Sequence, residues 1–276
     1  SLVANRPWSA YIRWIENSRG KFQMNLKGKV ALVTGASRGI GAATATELAN
    51  QGVSVVLAAR TMSEIETNAA TINEAGGKAA AVACDVSKYA DVEGAVALCQ
   101  KLFGGLDILV NNAGVIEPVA RLADSDPELW GQAADINYKG VYYGLRAAIP
   151  VMLTAGGGTI INISSGAATG ALEGWSHYCS SKAAVLSLTK CTDKEYRDEG
   201  IRVMGLSPGT VATEMQILIK ASGVNPVSQL DPSIHIPATW PARAIAWLCE
   251  NEEAAWLGTD VSLKDEDVLK RIGLSR

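Results

Sequence analysis

A tyrosine and a lysine four residues apart form the first candidate site, in the run Tyr178-Cys179-Ser180-Ser181-Lys182. On a helix, residues four apart lie on one face. An ammonium group near a phenol favours the phenolate and lowers the tyrosine pKa. A tyrosine tuned in this way could exchange a proton with a carbonyl or alcohol oxygen. The Tyr-x-x-x-Lys pattern occurs often by chance, so the pair alone is weak evidence.

Two further polar residues could serve the same chemistry. Ser165 follows the predicted strand Thr159–Ile163, and its hydroxyl would open at the carboxyl end of that strand. Asn137 lies in an apolar stretch of a predicted helix, where a buried amide needs a partner, either a water or a main-chain group. Trp175 lies between Ser165 and the tyrosine, and could line a substrate pocket or belong to the core or to an interface.

A glycine-rich loop could bind the phosphates of a cofactor. The run Thr34-Gly35-Ala36-Ser37-Arg38-Gly39-Ile40-Gly41 joins a predicted strand, Val30–Val33, to a predicted helix that begins near Ala42. Glycines allow a tight turn and the close approach of a pyrophosphate. The bare N–H groups and the dipole at a helix N-terminus also favour an anion. Strand, glycines and helix in this order predict a dinucleotide site.

The loop after the second predicted strand, Val53–Ala58, bears on which dinucleotide is bound. Sites that prefer NAD usually carry an acid there, which holds the ribose 2′-hydroxyl. This chain reads Ala59-Arg60-Thr61 instead. Arg60 could pair with a 2′-phosphate, with Arg38 nearby in the glycine loop, because the guanidinium fork suits phosphate oxygens. The alternative is that both arginines are solvated surface residues.

Two more strand ends could complete the cofactor site. Asp85, after the third strand, could accept a hydrogen bond from the adenine edge or could cap the next helix. The run Asn111-Asn112-Ala113-Gly114 ends the fourth strand. Its small and amide residues would let the backbone lie close to a cofactor, or would simply form a structural turn.

Predicted strands and helices alternate from Lys29 onward, and the strands are almost wholly apolar. This alternation predicts a parallel sheet that is covered on both faces. One helix is expected from Thr61 to Ala75, with Ser63-x-x-Glu66 as a capping box. Asp126-Pro127 should start a long helix that runs towards Met152. We therefore predict a single α/β domain, Rossmann-like and doubly wound, with a mainly seven-stranded parallel sheet and helices on both faces.

Two segments depart from this alternation. Residues 1–23 precede Met24, where the globular pattern begins, and they are rich in aromatic and basic residues. We interpret them as a leader or expression-derived extension, with a native surface extension or a transit peptide as alternatives; residues 24–276 form the domain. Residues 210–240 contain three prolines and follow a strand's carboxyl end, where ligands bind in such sheets. We predict a substrate lid there, and the alternative is an ordinary surface excursion.

Composition limits the function classes. The 276 residues are 48% hydrophobic, which suffices for a sizeable core. The 25 basic and 28 acidic residues are well mixed, so there is no basic patch for nucleic acid. No apolar run approaches the roughly 18 residues of a membrane span. Five scattered cysteines predict a reducing, cytoplasmic compartment. Two histidines disfavour a His/Cys metal site, and we predict no metal.

Considered jointly, these motifs resemble those of the short-chain dehydrogenase/reductase family over about residues 26–263. The matching pieces, in family order, are Thr34-Gly35-x-x-x-Gly39-x-Gly41, Cys84-Asp85-Val86, Asn111-Asn112-Ala113-Gly114, Asn137, Ser165, Tyr178-x-x-x-Lys182 and Pro208-Gly209-x-Val211-x-Thr213. The 13-residue step from Ser165 to Tyr178 also fits the family. Many members end their last strand in a Val-Asp-Gly-Gly-like turn, whereas this chain reads Gly258-Thr259-Asp260-Val261-Ser262-Leu263-Lys264-Asp265. That departure concerns the usual C-terminal subunit contact rather than the chemistry.

The resemblance implies a role for each catalytic candidate. Tyr178 would be the general acid/base, and Lys182 would lower its pKa and bind the nicotinamide ribose. Ser165 would hold the substrate oxygen, and Asn137 would support a water relay.

The resemblance also implies a cofactor site. Ile163 and Val211 would flank the nicotinamide, and Thr213 would bind the carboxamide or a phosphate. Family members with a basic residue at the position of Arg38 and an arginine at that of Arg60 usually take NADP(H). The full set of expected cofactor-binding residues is Gly35, Ser37, Arg38, Gly39, Ile40, Gly41, Arg60, Asp85, Val86, Asn112, Ala113, Gly114, Ile163, Tyr178, Lys182, Pro208, Gly209, Val211 and Thr213.

The expected function is therefore an NADPH-dependent oxidoreductase that reversibly reduces a ketone or aldehyde to an alcohol. The alternatives are an NAD-dependent alcohol dehydrogenase and a catalytically silent dinucleotide-binding regulator. The expected partner is a small carbonyl or alcohol molecule, with neither nucleic acid nor membrane. Family analogy predicts a homo-oligomer, either a tetramer or a dimer.

Overall fold

The sheet matches the prediction in strand number and direction. The structure, a computed structural model, describes residues 25–275, and within them the strands form one parallel sheet of order β3-β2-β1-β4-β5-β6-β7. The predicted Rossmann-like, doubly wound α/β domain is thereby confirmed. The strands are β1 Val30–Thr34, β2 Ser54–Ala59, β3 Lys78–Ala83, β4 Ile108–Asn111, β5 Gly158–Ile163, β6 Ile201–Ser207 and β7 Asp260–Ser262.

Helices follow the strands in the expected alternation. The expected long helix towards Met152 is divided, because a short π-helical turn, Asp135–Lys139, joins α4 to α5. The helices are α1 Gly39–Asn50, α2 Met62–Glu74, α3 Tyr89–Phe103, α4 Pro127–Ala134, α5 Gly140–Thr154, α6 Ser176–Tyr196, α7 Glu214–Ser222, α8 Thr239–Glu250 and α9 Glu266–Ile272.

The core has two apolar layers, one on each face of the sheet. Successive strand residues point to opposite faces, so in β1 Leu32 packs on one layer and Val33 on the other. Helices α1, α2, α8 and α9 cover one face, and α3, α5 and α6 cover the other. This double coverage explains why the central strands are apolar throughout rather than alternating.

The strand order reverses beside β1, which pairs with β2 on one side and β4 on the other. The connections after these strands leave in opposite directions and open a crevice at their carboxyl ends, which is where such sheets bind ligands. Because every pairing is parallel, the loops after β1 to β6 all lie at this edge. The topology therefore gathers the predicted site residues from six separate loops.

Two helix starts test the predicted capping. Asp126 Oδ1 accepts hydrogen bonds from the backbone N–H groups of Glu128 at 2.8 Å and Leu129 at 3.0 Å, which confirms it as the cap of α4. The predicted capping box at Ser63 is wrong. Helix α2 already begins at Met62 with Thr61 as its N-cap, so Ser63 lies inside the first turn and cannot cap it.

Residues 210–240, the lid segment, leave β6 and return beside their own start. The excursion contains α7 and two short 3-10 turns, and a single bridge pairs Val211 with Ile236. Residues 1–23, interpreted above as a leader or extension, lie outside the described residues. Between residues 25 and 275, no helix combines the length and apolar character that crossing a membrane requires.

Candidate active site

Tyr178 and Lys182 lie on α6 and are both buried, with 8% and 4% of their surface exposed. The Lys182 ammonium donates a hydrogen bond to the carbonyl oxygen of Ile163, the last residue of β5, at 2.6 Å. It lies 5.6 Å from the centroid of the Tyr178 ring. The main chain of β5 therefore fixes the lysine beside the tyrosine.

Burial dominates the proton affinities of this pair. It raises the pKa of Tyr178 to about 12, because a phenolate would lose its hydration, and a hydrogen bond with Ser165 opposes that rise. Burial lowers the pKa of Lys182 to about 8, and the charge of Asp260 opposes that fall. The expected lowering of the tyrosine pKa by Lys182 is not found in this structure, because desolvation of the phenolate outweighs the neighbouring ammonium. Tyr178 is consequently a neutral phenol, which can donate a proton, across the physiological pH range.

Ser165 lies two residues beyond β5, next to Tyr178. Its Oγ accepts a hydrogen bond from the backbone N–H of Ala167 at 3.2 Å. Its hydroxyl lies near enough to the Tyr178 phenol to favour the phenolate and so to lower the pKa of Tyr178. The serine is half-buried, whereas Ser164 before it is buried. The structure thus brings the two predicted hydroxyls together at the edge of the sheet.

Asn137 is fully buried in the π-helical turn between α4 and α5. Its Oδ1 accepts from the backbone N–H of Val115 at 2.7 Å, and its Nδ2 donates to the Val115 carbonyl at 2.8 Å. Of the two predicted partners, water or main chain, the structure shows the main chain. The asparagine side chain therefore fixes the loop after β4, in which Gly114 also packs against its Oδ1.

The glycine loop makes the close approaches that its sequence predicted. A Cβ at Gly41 would lie 2.3 Å from the Gly35 carbonyl oxygen, and a Cβ at Gly35 would lie 2.8 Å from Ala113 Cα. Gly35 also has φ +63°, a conformation that side chains disfavour. Helix α1 begins at Gly39 with no side-chain cap and no acid in its first turn. Its first N–H groups can therefore bind an anion.

Two asparagine side chains hold this loop in place. Asn112 Nδ2 donates to the carbonyls of Thr34 at 2.9 Å and Gly35 at 3.1 Å. Asn68 Nδ2, from α2, donates to the carbonyls of Ala36 at 3.1 Å and Ser37 at 2.9 Å. Sequence analysis missed Asn68. The available signal was a polar residue next to Ala69 on the buried face of α2.

Each of the two predicted phosphate-binding arginines has an acidic neighbour. Arg38 Nε lies 3.1 Å from Glu214 Oε2, in the first turn of α7, and both side chains are exposed. Arg60 follows β2 and is exposed, and its charge contributes to lowering the pKa of Asp85. Sequence analysis missed Glu214, because a partner so distant along the chain has no local signal.

Asp85 builds the turn ahead of α3. Its carboxylate accepts from the Ser87 hydroxyl at 2.7 Å and the Ser87 backbone N–H at 3.1 Å, and these bonds are the main reason that its pKa is lowered. Lys88 is the N-cap of α3, so Asp85 does not cap the helix directly. The carboxylate is only partly buried, and its Oδ2 lies 3.8 Å from the Lys88 ammonium.

The remaining predicted cofactor residues lie in the same loops. Thr213 covers the glycine loop, since its methyl carbon lies 3.3 Å from the position of a Cβ on Gly39. Val86 packs against Gly140 at the end of the π-helical turn. Gly209, with φ +76°, turns the chain out of β6. Ile40 lies in the first turn of α1, and the others occupy loop positions around it: Ser37, Ala113, Pro208 and Val211.

An apolar cluster covers the tyrosine. Trp175 is 4% exposed, and its ring meets that of Tyr178 edge-on, with centroids 5.5 Å apart and planes at 72°. Ile219 of α7 is buried in the same cluster. Asn225, also in the lid segment, donates from Nδ2 to the Glu173 carbonyl at 3.0 Å. The lid segment therefore packs directly on the residues around Tyr178.

Comparison with known proteins agrees with this geometry. The family model described as short chain dehydrogenase matches residues 29–222. The chain belongs to the short-chain dehydrogenase family. Members of this family are oxidoreductases that use nicotinamide dinucleotide cofactors and act on small molecules, so this short-chain dehydrogenase is an oxidoreductase of that kind.

Three similar proteins illustrate the range of the family. A cyclohexanol dehydrogenase of Acinetobacter sp. (strain SE19) is 37% identical over 187 residues, covering 68% of this chain and 74% of the relative. The 2,5-dichloro-2,5-cyclohexadiene-1,4-diol dehydrogenase LinX of Sphingobium indicum is 33% identical over 244 residues, covering 86% and 95%. The structure of an NAD+-bound xylitol dehydrogenase superposes with a TM-score of 0.80 at 26% identity, covering 86% and 98%.

Proposed function

We propose that this short-chain dehydrogenase reversibly reduces a ketone or aldehyde to an alcohol with NADPH. The observation that carries the proposal is the group of Tyr178, Ser165 and Lys182, in which two hydroxyls meet beside a buried ammonium. A silent regulator would have no need to bury a lysine beside a phenol, because burying an ionisable group costs free energy.

The cofactor preference rests on charge. The uncapped start of α1 fits a pyrophosphate, since its N–H groups have no side-chain acceptor among the described residues. Arg38 and Arg60 lie in the two loops that flank the ribose position in such folds, and β2 ends without an acid. A 2′-phosphate would give both guanidinium groups a partner stronger than a solvated carboxylate.

The protein's part in the reaction is to position the substrate and to move the proton. Bound in the crevice, the nicotinamide supplies or accepts a hydride at the substrate carbon. Ser165 holds the substrate oxygen by a hydrogen bond, and Tyr178, neutral because burial raises its pKa to about 12, donates the proton to that oxygen during reduction. Lys182 stabilises the phenolate that remains and binds the nicotinamide ribose. Asn137 keeps the loop after β4 in place through Val115.

The substrate is a small to medium-sized and partly apolar molecule. Trp175, Leu172 and Met215 belong to the apolar cluster around Tyr178, so the reacting oxygen would enter apolar surroundings. The relatives named for cyclohexanol and for a cyclohexadiene diol make six-membered rings with an oxygen substituent the first compounds to test. The lid segment would close over such a ring through α7.

The deciding experiment compares cofactors on one substrate. The purified full chain is assayed with cyclohexanone, following the loss of reduced cofactor with NADPH and then with NADH. We expect kcat/KM with NADPH to exceed that with NADH by about tenfold or more, which equals about 1.4 kcal/mol of transition-state binding. A preference for NADH would replace the proposal with the NAD-dependent alcohol dehydrogenase. No turnover across a panel of ketones and aldehydes, with NADPH still bound, would favour the silent regulator.

The proposal also covers the oligomeric state, the cellular compartment and residues 1–23. We propose a cytoplasmic homo-oligomer, a tetramer or dimer, in which exposed Tyr138 and Tyr142 beside α5 contribute to a subunit contact. Light scattering of the purified chain measures the oligomeric state. We also propose that residues 1–23 are dispensable, so that deleting them leaves turnover intact.

A further inference from the structure

Asp260 is an acid at the point where the last strand departs from the pattern of the family. It opens β7 and pairs with Gly205 of β6. A Cβ on Gly205 would lie 2.9 Å from Asp260 Oδ1, so the carboxylate lies directly across the glycine. A charged group in a partly buried strand position costs free energy unless hydrogen bonds and opposite charge compensate.

Hydrogen bonds tie this carboxylate to the end of β6 and to the loop after β5. Asp260 Oδ2 accepts from the Ser207 hydroxyl at 2.7 Å and from the Ser164 hydroxyl at 3.0 Å. Oδ1 is buried and has no hydrogen-bond partner among the described residues. The carboxylate therefore has one oxygen inside the protein without a hydrogen bond, and burial raises the pKa of Asp260. A nearby positive charge would favour its ionised form.

Lys182 is the cation whose charge acts on this carboxylate, without a direct ion pair between the two side chains in the described part of the chain. Its attraction acts on Asp260 and, reciprocally, Asp260 acts on Lys182. The Lys182 ammonium also donates to the carbonyl of Ile163, the residue before Ser164. Ile163 and Ser164 are thus hydrogen-bonded to the lysine and to Asp260 in turn, and Ser165, the next residue, is the proposed partner of Tyr178.

The other groups around this arrangement are mostly neutral. Tyr178 shares α6 with the lysine, and Cys179 acts on the tyrosine rather than on the ammonium. The groups that face the carboxylate from the loop after β5 and from the end of β6 are the hydroxyls of Ser164 and Ser207. No charged side chain other than Asp260 therefore contributes to the stabilisation of the buried ammonium among the residues that the structure describes.

We propose that Asp260 is a positioning residue for the reaction: its hydrogen bond to Ser164 orients Ser165, and its negative charge stabilises the Lys182 ammonium that lies beside Tyr178. This inference rests on the proposed roles of Tyr178 and Lys182. It goes beyond them because it assigns a function to β7, at the point where the sequence lacks the usual turn.

Two substitutions separate the charge from the hydrogen bonds. Asp260→Asn keeps an oxygen that both serines can reach and removes the charge, whereas Ser164→Ala keeps the charge and removes one hydrogen bond. The measurements are the pH profile of kcat on cyclohexanone and the pH dependence of the NADPH dissociation constant, from protein fluorescence. Asp198→Asn, an exposed aspartate beyond α6, is the control for a lost surface charge.

The direction of the expected pH shift follows from the loss of a negative charge near Lys182. An ammonium that loses its carboxylate is easier to deprotonate, so Asp260→Asn should lower the pKa of Lys182 from its value of about 8. We expect the alkaline fall of kcat, and the alkaline weakening of NADPH binding, to move to lower pH by about one unit. Ser164→Ala should leave both profiles in place and change kcat by about threefold or less.

An unshifted profile in Asp260→Asn would overturn the proposal, as would an equal shift in Ser164→Ala, because packing alone would then explain both. If the asparagine variant does not fold by circular dichroism, Asp260→Ser removes the charge with a smaller side chain, and the same outcomes apply. If the pH dependence of the NADPH dissociation constant shifts as expected but no ketone is turned over, Asp260 still stabilises the Lys182 ammonium. That result would count against the proposed reduction. Absence of NADPH binding in the wild type would overturn both.

Discussion

The two ends of the crevice are built differently. At the proton-transfer end, Tyr178 and Lys182 are at least nine-tenths buried, and the Lys182 ammonium is fixed by a hydrogen bond to the last carbonyl of β5. At the phosphate end, Arg38 and Arg60 are exposed, and Arg38 is paired only with an equally exposed glutamate. Buried groups leave few alternative geometries, whereas exposed charges can exchange partners at little cost. The chemistry is therefore rigidly positioned, and the cofactor preference is easily changed.

The largest effect should come from the proton-transfer end. Tyr178→Phe removes the phenol that donates the proton and keeps the ring that packs on Trp175. We expect kcat to fall by about 10²–10⁴-fold, the usual contribution of a general acid, while NADPH affinity stays within a few-fold. Steady-state kinetics with a fluorescence titration would check both values. Retained turnover would show that another group donates the proton.

A second test concerns the backbone between the two ends. Gly41→Ala would place a Cβ 2.3 Å from the Gly35 carbonyl oxygen and 2.6 Å from Asn112 Nδ2, so the loop must shift. We expect about 1–3 kcal/mol of lost stability from this overpacking, together with weaker binding of both NADPH and NADH. Denaturant unfolding and fluorescence titration measure the two effects. The matched control is Gly94→Ala, on the exposed face of α3, where a Cβ meets nothing within 4 Å. If the two variants behaved alike, the loop would not need its glycine.

A third test changes only the exposed end. Arg60→Asp replaces the proposed 2′-phosphate ligand with an acid, in a loop where Asp85 already contributes negative charge. We expect kcat/KM with NADPH to fall by about 10- to 100-fold, the worth of a charge-assisted hydrogen bond, and the value with NADH to change little. The NADH value is the internal control. An equal loss with both cofactors would indicate damage to the loop instead of altered recognition of the phosphate.

The fold could be predicted from the sequence because its signals are local. Apolar strands, glycines after β1 and Asp126 before Pro127 each act within a few residues, and the structure agrees with them. Ser63 failed as a cap because the true start of α2 depends on where the chain leaves β2, and the motif does not encode that position.

The sequence predicted which residues lie together in the site, but it did not predict the direction of the tyrosine pKa shift or the partners of the charged groups. The pattern of Tyr178 and Lys182 indicated a lowered tyrosine pKa, whereas burial raises it to about 12. Desolvation depends on what covers the helix, and Ile219 comes from a distant part of the chain. Asn68, Glu214 and Asp260 were missed for the same reason. Their partners lie on other strands or helices, and a single sequence does not indicate such pairings.

The smallest expected effect tests the exposed end most directly. Glu214→Gln removes the carboxylate that pairs with Arg38. The Arg38 guanidinium then does not have to break an ion pair before it binds the 2′-phosphate. Exposed ion pairs contribute about 0–1 kcal/mol, so NADPH affinity should rise by no more than about fivefold, and NADH affinity should not change. Glu173→Gln is the matched control, because Glu173 forms a similarly exposed pair with Arg121, at 3.3 Å, away from the glycine loop. Higher affinity for both cofactors would mean that Glu214 acts through α7 rather than through Arg38. Lower NADPH affinity would mean that the glutamate holds Arg38 in its binding position. The phosphate end would then be as firmly positioned as the proton-transfer end, contrary to the comparison made above.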